Sequence, residues 1–231
     1  MKKIFPIQIF ALLSMVTLGI TSWAGDSQKV KAVNIQFKTT AGNIVVEVYP
    51  DKAPISANHF LRLVDSGIYD GTEFYAAARR SNMPKMKMES GKEWAIKSGG
   101  FILGGLGYQD TSIATIKHES TQLTGFKHRE GTLSFGRGQH GMASVEIFIC
   151  IEDQPQFDFS GESNEDGQGY AVFGQVVKGM DVVRAIHQLP TRGRVEEDLV
   201  LNIDDTLEKK TSILGRHWLD KPIKIIRVIR L

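Results

Sequence analysis

The stretch GYAVFGQVVKGMDVV, residues 169–183, contains two different hydrophobic periods in succession. Residues 170–177 are rich in aromatic and β-branched side chains, which predicts a strand. Directly afterwards the apolar residues Met180, Val183 and Ile186 recur at helical spacing, which predicts an amphipathic helix. A strand that passes almost at once into a short helix is therefore the most informative local prediction in the chain.

Further short strands are predicted on both sides of this stretch. A second helix is predicted over residues 56–65, where Phe60, Leu61 and Val64 share one face. Many short strands with two helices indicate a mainly β domain, either a barrel or a sandwich. The other predicted strands are residues 33–39, 44–49, 101–103, 132–135, 145–151 and 223–231, with one more beginning at Phe74.

Two connecting segments are polar and lack a clear period. Residues 80–97 are rich in Lys, Met, Ser and Asn, which predicts a projecting loop. Residues 191–221 form another polar segment in which we predict no helix or strand. Because no internal repeat is visible, we expect one domain with a few long loops.

The amino-terminal residues 1–24 have the pattern of a cleavable export signal. Two lysines precede a long apolar run, residues 4–20, and Ser22 and Ala24 occupy the small-residue positions before a cut. A retained membrane anchor is the alternative, since the run approaches the ~17 to 25 residues needed to span a bilayer. We expect cleavage and export, most simply to a periplasm, with membrane contact only through the signal before it is removed.

The mature chain is expected to begin with a flexible segment, residues 25–32, followed by one domain over residues 33–231. Of the 28 basic residues two lie in the signal, which contains none of the 26 acidic ones, so the mature chain is electrically neutral. This balance indicates neither nucleic acid nor anionic lipid as a partner. We expect a monomer, and the single cysteine, Cys150, lies in an apolar run that favours a buried, inert thiol.

Motifs for metal or nucleophilic chemistry are weak. The six histidines have no metal-ligand spacing, and the acidic stretch GESNEDGQG lacks the regular alternation of a calcium loop, so a solvated turn is expected there. Ser134 lies outside a GxSxG arrangement and no base can be assigned to it from spacing. These residues alone indicate an exported β domain without naming a reaction.

Several segments taken together resemble the cyclophilins, the cyclophilin-type peptidyl-prolyl cis-trans isomerases. The matching segments are VNIQFKTTAGNIVVEVYPDKAPISANHFLRLVDSGIYDGTEFY, GTLSFG, EIFICI and GYAVFGQVVKGMDVV. The resemblance implies a closed eight-stranded antiparallel barrel capped by two α-helices, with a substrate groove on the outer wall. It also implies isomerisation of X-Pro bonds in polypeptides, without a metal or cofactor.

The resemblance fails at the polar catalytic positions. Cyclophilins place an arginine after Phe-His or Phe-Tyr, whereas this chain has Ala76, and the family's Gln-Gly-Gly glutamine corresponds to Leu103. No catalytic residue is therefore carried over. Among other arginines, Arg80 lies four residues along the strand, too far to substitute, and Arg137 is the better candidate, although a solvated side chain is the simpler expectation for it.

The apolar part of the groove is expected to remain. The resemblance implies a cup for the proline ring, although Phe148 and Phe157 are equally typical of a core, and Gln156 stands where many members place an aromatic residue. The substrate-binding residues that it implies are Phe101, Gly136, Arg137, Glu146, Phe148, Phe157 and Tyr170.

Three functions are consistent with this pattern. The first is an isomerase of exported polypeptides with weakened catalysis. The second is a catalytically impaired module that binds or chaperones proline-containing chains. The third is an inert domain that docks a partner through residues 80–97, for which a flexible solvated loop is the simpler interpretation.

Overall fold

The computed structural model describes residues 31–106, 113–138, 141, 143, 145–195, 199–202 and 204–231. The predicted signal, residues 1–24, lies outside the described residues, as does all but the end of the predicted segment 25–32. Within the described ranges no helix has the length and apolar character that crossing a bilayer requires.

The described residues form eleven strands, and eight of them close into a barrel. The strands in chain order are β1 Val33–Thr39, β2 Gly42–Val48, β3 Glu73–Ala78, β4 Lys85–Lys87, β5 Glu93–Trp94, β6 Phe101–Gly105, β7 Thr132–Phe135, β8 Ile147–Cys150, β9 Ala171–Lys178, β10 Val200–Leu201 and β11 Trp218–Arg230. The barrel order is β1-β11-β3-β6-β8-β7-β9-β2, and all eight neighbouring pairs are antiparallel. The predicted closed antiparallel barrel is confirmed.

The described ranges also contain four α-helices and two single turns of 3₁₀-helix. The helices are α1 Pro54–Asp65, α2 Thr121–Thr124, α3 Met180–Gln188 and α4 Leu207–Leu214, and the 3₁₀ turns are Pro155–Phe157 and Gly215–His217. The two predicted helices correspond to α1 and α3, and their predicted apolar faces are buried against the barrel. In the barrel interior, Phe60 of α1 packs 5.0 Å from Phe173 and 6.2 Å from Phe37, measured between ring centroids.

A small second sheet corrects two of the predictions. Residues 80–97 are not a projecting loop, because β4 and β5 form an antiparallel pair, and β10 joins β4 in parallel. The polar segment 191–221 contains β10, α4 and the start of β11. The strands β4, β5 and β10 have only two or three residues each, too few to display a period, and β4 is paired by a segment more than 100 residues away.

The amino terminus of α1 is capped from a distant part of the chain. The helix begins at Pro54, two residues before the predicted start, and its own N-cap residue, Ala53, has no side chain that can accept a hydrogen bond. The buried Glu119 carboxylate accepts instead from the backbone N–H groups of Ile55, at 2.9 Å, and Ser56, at 2.6 Å. An anion at this end of a helix satisfies free donors and interacts favourably with the helix dipole.

Replacing Glu119→Ala should lower the free energy of unfolding by about 1 to 2 kcal/mol, because two N–H donors at the start of α1, one of them buried, lose their acceptor. Urea unfolding followed by circular dichroism measures the change. The matched control is Glu208→Ala, which removes an exposed carboxylate from the first turn of α4 and should shift stability by less than about 0.5 kcal/mol. Equal effects of the two substitutions would contradict the capping role.

Candidate active site

Alternation along the barrel strands separates the core from a second apolar cluster on the outer wall. Along β6, Ile102 packs in the barrel core, whereas Phe101 and Leu103 belong to the outer cluster. Along β8, Ile149 lies in the core and Phe148 in the outer cluster. Since neighbouring residues of a strand point to opposite faces, the same two strands build both the core and the wall of a surface site.

A cavity of about 830 Å³ lies against this outer cluster. Six of the seven residues predicted to bind substrate line it, together with Leu103. The remaining one, Glu146, is not among the lining residues. The six are Phe101, Gly136, Arg137, Phe148, Phe157 and Tyr170.

Four aromatic rings form the floor of the cavity. Phe148 and Phe157 meet edge to face at 5.7 Å, and Tyr170 lies 5.3 Å from each of them. Phe101 packs 5.5 Å from both phenylalanines. Edge-to-face contacts at these separations are favourable, so the rings form a rigid apolar cup.

A buried polar chain supports the cup from below. His128 lies parallel to Phe148, with ring centroids 5.9 Å apart, and its Nδ1 and Nε2 lie 2.9 Å from Asp158 Oδ1 and 3.0 Å from Ser134 Oγ. Burial lowers the pKa of His128. His128 is a base beside Ser134 that the spacing of the sequence did not reveal. Ser134 is nevertheless 0 % exposed, so no substrate reaches it as a nucleophile. The hydrogen-bonded series of Asp158, His128 and Ser134 holds the ring on which Phe148 packs.

The two positions at which the resemblance implies polar catalytic side chains are adjacent in space. Ala76 on β3 pairs with Leu103 on β6, which in turn pairs with Phe148 on β8. Ala76 is 0 % exposed and belongs to the outer cluster, so an apolar contact occupies the place where the resemblance implies two polar side chains. Neither position offers a hydrogen-bond donor beside the cup.

Arg137 is held by other parts of the chain. Contrary to the expectation of a solvated side chain, it is buried, and its Nε donates to the Gly169 carbonyl at 2.7 Å. Its two terminal nitrogens donate to both carboxylate oxygens of Asp166, at 2.8 and 2.9 Å. The ion pair also brings Asp166, from the predicted solvated turn, against the cavity. Arg137 therefore forms part of the wall and fixes the neighbouring loop.

The other nearby arginines point elsewhere. Arg79 donates to the carbonyls of His187, at 2.6 Å, and Leu189, at 3.0 Å, at the carboxyl end of α3. Arg80 is exposed, which agrees with its exclusion on distance.

Glu146 forms a buried pair that the sequence did not indicate. The Tyr75 hydroxyl donates to its Oε1, and its Oε2 is buried without a hydrogen-bond partner in the described part of the chain. Burial raises the pKa of the Glu146 carboxyl to about 8. Burial therefore favours the protonated, uncharged form of this side chain.

Tyr75 reaches Glu146 because of a bulge. The register between β3 and β6 shifts between Phe74 and Ala76, so Phe74 packs in the barrel core while Ala76, two residues on, packs in the outer cluster. An extra residue in one strand re-aims the following side chains.

One wall of the cavity comes from residues that the sequence did not assign to the site. Met86 and Trp94 line it from the small sheet, Met83 from the turn before that sheet, and Met88 from the connection between β4 and β5. Trp94 packs against Phe157, with ring centroids 6.4 Å apart and planes at 22°. Gln156, at the position where many cyclophilins have an aromatic residue, is buried and bonded to Gln154. In this protein Trp94, and not residue 156, places a further aromatic ring beside Phe157.

The described residues contain neither a candidate metal-ligand cluster nor an exposed thiol. Across the described ranges, no group of three or more His, Cys, Asp or Glu side chains is placed to hold a metal ion. Cys150 is buried in the outer cluster, as expected, and burial raises the pKa of its thiol.

Comparison with known proteins identifies peptidyl-prolyl cis-trans isomerases as relatives of this chain. Residues 33–207 match the family described as cyclophilin type peptidyl-prolyl cis-trans isomerase/CLD. The chain is 35% identical over 158 residues to a peptidyl-prolyl cis-trans isomerase of Acinetobacter baylyi, covering 68% of this chain and 73% of that protein. It is 34% identical over 168 residues to peptidyl-prolyl cis-trans isomerase B of Escherichia coli, covering 71% and 91% respectively.

A solved structure shows the same fold. The cyclophilin type peptidyl-prolyl cis-trans isomerase of Cryptosporidium parvum, crystallised in the presence of the dipeptide Ala-Pro, superposes with a TM-score of 0.58. The match covers 86% of this chain and 98% of that one at 17% identity, so it supports the architecture alone.

The raised pKa of Glu146 predicts a pH-dependent stability. In the folded protein the carboxyl keeps its proton up to about pH 8, whereas in the unfolded chain it ionises near 4.5. The stability due to the protonated form is complete below pH ~4.5 and is lost progressively as the pH rises to ~8. Glu146→Gln should reduce this loss, which approaches about 1.4 kcal/mol per pH unit in the window.

Urea unfolding at pH 5, 6.5 and 8 measures the slope for the native and variant proteins. Tyr75→Phe is the matched control, because it removes the hydroxyl partner and leaves the titrating carboxyl in place. The free energy of unfolding of Tyr75→Phe should therefore still fall as the pH rises, as it does for the native protein. Identical slopes for the native protein and Glu146→Gln would contradict the assignment.

Proposed function

The chain belongs to the family of cyclophilin-type peptidyl-prolyl cis-trans isomerases, and we propose that it binds proline-containing polypeptides in the aromatic cup and isomerises their X-Pro bonds slowly. The observation that carries the slow rate is the pair Ala76 and Leu103, two apolar residues in register beside Phe148. The cup that would hold a proline ring is complete, and the donors that would act on the prolyl amide are absent from these positions.

The physical demand on such a site is small but specific. Rotation about the X-Pro bond breaks no covalent bond, yet it has to overcome amide resonance, with a barrier of ~18 to 20 kcal/mol. A hydrogen-bond donor aimed at the amide stabilises the twisted state, and removal of one preorganised donor typically costs ~10² to 10³ in rate. Since each of the three Arg137 guanidinium nitrogens already donates to Asp166 or Gly169, we do not expect this side chain to recover the loss.

A binding or chaperone module is the second candidate, favoured by the same geometry. An apolar cup without a donor still buries a proline ring and its neighbours, which is enough for affinity. Both candidates use the same bound polypeptide and differ only in the rate of isomerisation. The proposal of docking through residues 80–97 receives less support, because much of this segment forms a wall of the cavity.

The isomerase assay separates these candidates. In a protease-coupled measurement on an Ala-Pro peptide, the kcat/KM of the chain lacking residues 1–24 should fall at least ~10²-fold below that of a cyclophilin that has the arginine and glutamine. Phe148→Ala should remove peptide binding measured by calorimetry, because it opens the floor of the cup. Binding with no rate above the uncatalysed one would favour the module, and a rate equal to the reference cyclophilin would exclude impaired catalysis.

Ala76→Arg combined with Leu103→Gln asks whether the two positions account for the loss. The rate should rise towards that of the reference if the variant folds, which circular dichroism checks. If the double variant does not fold, the rate measured for the native protein still tests the proposal of impaired catalysis.

We propose further that the polypeptides are exported ones, encountered in a periplasm. Support comes from residues 1–24, where a basic start, an apolar run and the small residues Ser22 and Ala24 occur in the order of a cleavable signal. The neutral charge of the remaining chain adds no attraction to nucleic acid or anionic lipid.

Expression of the full chain in a Gram-negative host tests the export proposal. Amino-terminal sequencing of the periplasmic fraction should begin at Gly25, and Ala24→Arg should block the cut, because a small residue is required there. A matched Asp26→Arg substitution would lie after the cut and should still be processed. Recovery of an uncut chain in the membrane fraction would support the anchor instead.

A further inference from the structure

We propose that the wall formed by Met83, Met86, Met88 and Trp94, here called the methionine wall, is a second subsite of the groove. It binds an apolar residue of the polypeptide next to the proline, and the Trp94 indole N–H donates to a backbone carbonyl of that segment. The proposal rests on the proposed function, since one polypeptide occupies both the cup and this subsite.

The first argument is the continuity and size of the cavity. The cup residues and the methionine wall line one cavity of about 830 Å³. This volume lies within the ~300 to 1,000 Å³ of sites that bind drug-sized ligands, well beyond what one proline ring fills. A bound chain therefore brings at least one more residue into the same space.

The second argument is the chemistry of the wall. The four side chains are apolar, and all pack in or against the outer cluster that contains Phe157. Methionine side chains are flexible and polarisable, so they adapt to aliphatic and aromatic groups of different shape. The charged residues that line the cavity are three of each sign, so the site favours no particular net charge; they are Lys87, Arg137, Lys210, Glu89, Glu165 and Asp166. The arrangement fits an uncharged apolar residue.

The third argument is an unsatisfied donor. Trp94 is only 7 % exposed, and its Nε1 is buried without a hydrogen-bond partner among the residues that the structure describes. A buried donor without an acceptor carries its full desolvation cost, which a ligand carbonyl would relieve. Met86 lies directly opposite Trp94 in the β4–β5 pair, and rotation of its side chain is an inexpensive way to admit that carbonyl.

The occupant follows from these three observations. It has an extended backbone with free carbonyls, a proline for the cup and a large apolar residue within two positions of the proline. Trp94 packs on Phe157, so the two subsites share a ring contact and are close enough for neighbouring residues of one chain.

Two peptide series test the proposal on the chain lacking residues 1–24. In Gly-Xaa-Pro-Gly-Gly and Gly-Gly-Pro-Xaa-Gly peptides, Xaa is Gly, Asp, Leu or Phe, and calorimetry measures Kd. Leu or Phe should bind about tenfold more tightly than Gly in at least one series. Met88→Ser should reduce that ratio towards one.

Trp94→Phe separates the hydrogen bond from the packing. The ring against Phe157 remains while the N–H is lost, so all peptides should weaken by roughly two- to tenfold and the Leu-to-Gly ratio should persist. Trp218→Phe is the matched control, because Trp218 is 41 % exposed and does not line the cavity, and it should leave every Kd unchanged. In ¹⁵N–¹H spectra the Trp94 indole peak should shift on addition of peptide.

The outcomes distinguish this inference from the proposed function. If no proline peptide binds the native protein, the proposed function fails and the subsite with it. If peptides bind but the affinity is indifferent to Xaa and the Trp94 peak does not move, the subsite is overturned and the function stands. A Trp94 peak that responds to protein concentration instead would assign the wall to a second copy of the chain and also overturn the proposal.

Discussion

The filled interior of the closed barrel is the constraint on which the rest of the structure depends. Phe37, Phe60, Phe135 and Phe173 occupy the space inside, so no ligand enters there. Any site has to use the outward-facing residues of the same strands. The period of two along β6 and β8 then dictates that every second residue is available, which is why Leu103 and Phe148 face the cavity while Ile102 and Ile149 face the core.

A bulge in β3 interrupts this alternation of faces at one residue. A perfectly regular β3 would place Phe74 and Ala76 on the same face, and one of them would be misplaced. The extra residue, Tyr75, allows Phe74 to fill the barrel and Ala76 to reach the outer wall. It also brings a hydroxyl to the buried Glu146, so a single irregularity sets both the apolar contact and the acid pair beside the site.

The parts of the fold that could be predicted from the sequence are those with a local signal. The strand and helix of residues 169–183 repeat their period over several residues, and the structure has them as β9 and α3. The resemblance indicated which residues line the cup because it fixes the register of whole strands. Side-chain partners were not accessible in this way, since Arg137 meets Asp166 across 29 residues and Glu119 caps α1 across more than 60.

The methionine wall could not be predicted from the sequence for the same reason. Met86 and Trp94 lie in strands of two or three residues, whose composition is typical of a loop. Their order depends on β10 and on the apolar residues Leu201 and Ile213, which pack with Met86 from the far end of the chain. No short window contains both partners, so the sequence showed methionines in a polar segment and gave no sign of a cavity wall.

The proposed function gives the site apolar contacts for a proline ring without a donor to the amide, and these two elements contribute differently to catalysis. Apolar contacts with the proline ring are made equally in the ground state and in the twisted transition state, so they increase affinity without lowering the barrier between them. A donor to the prolyl amide strengthens only as the amide twists, and this is the element replaced by Ala76 and Leu103. On the proposed function, a groove with these aromatic contacts and no side-chain donor at these positions therefore binds a polypeptide more effectively than it isomerises it. In this proposal affinity and specificity come from the cup and the methionine wall, and the rate is limited at Ala76 and Leu103, which have only a methyl and an isobutyl group.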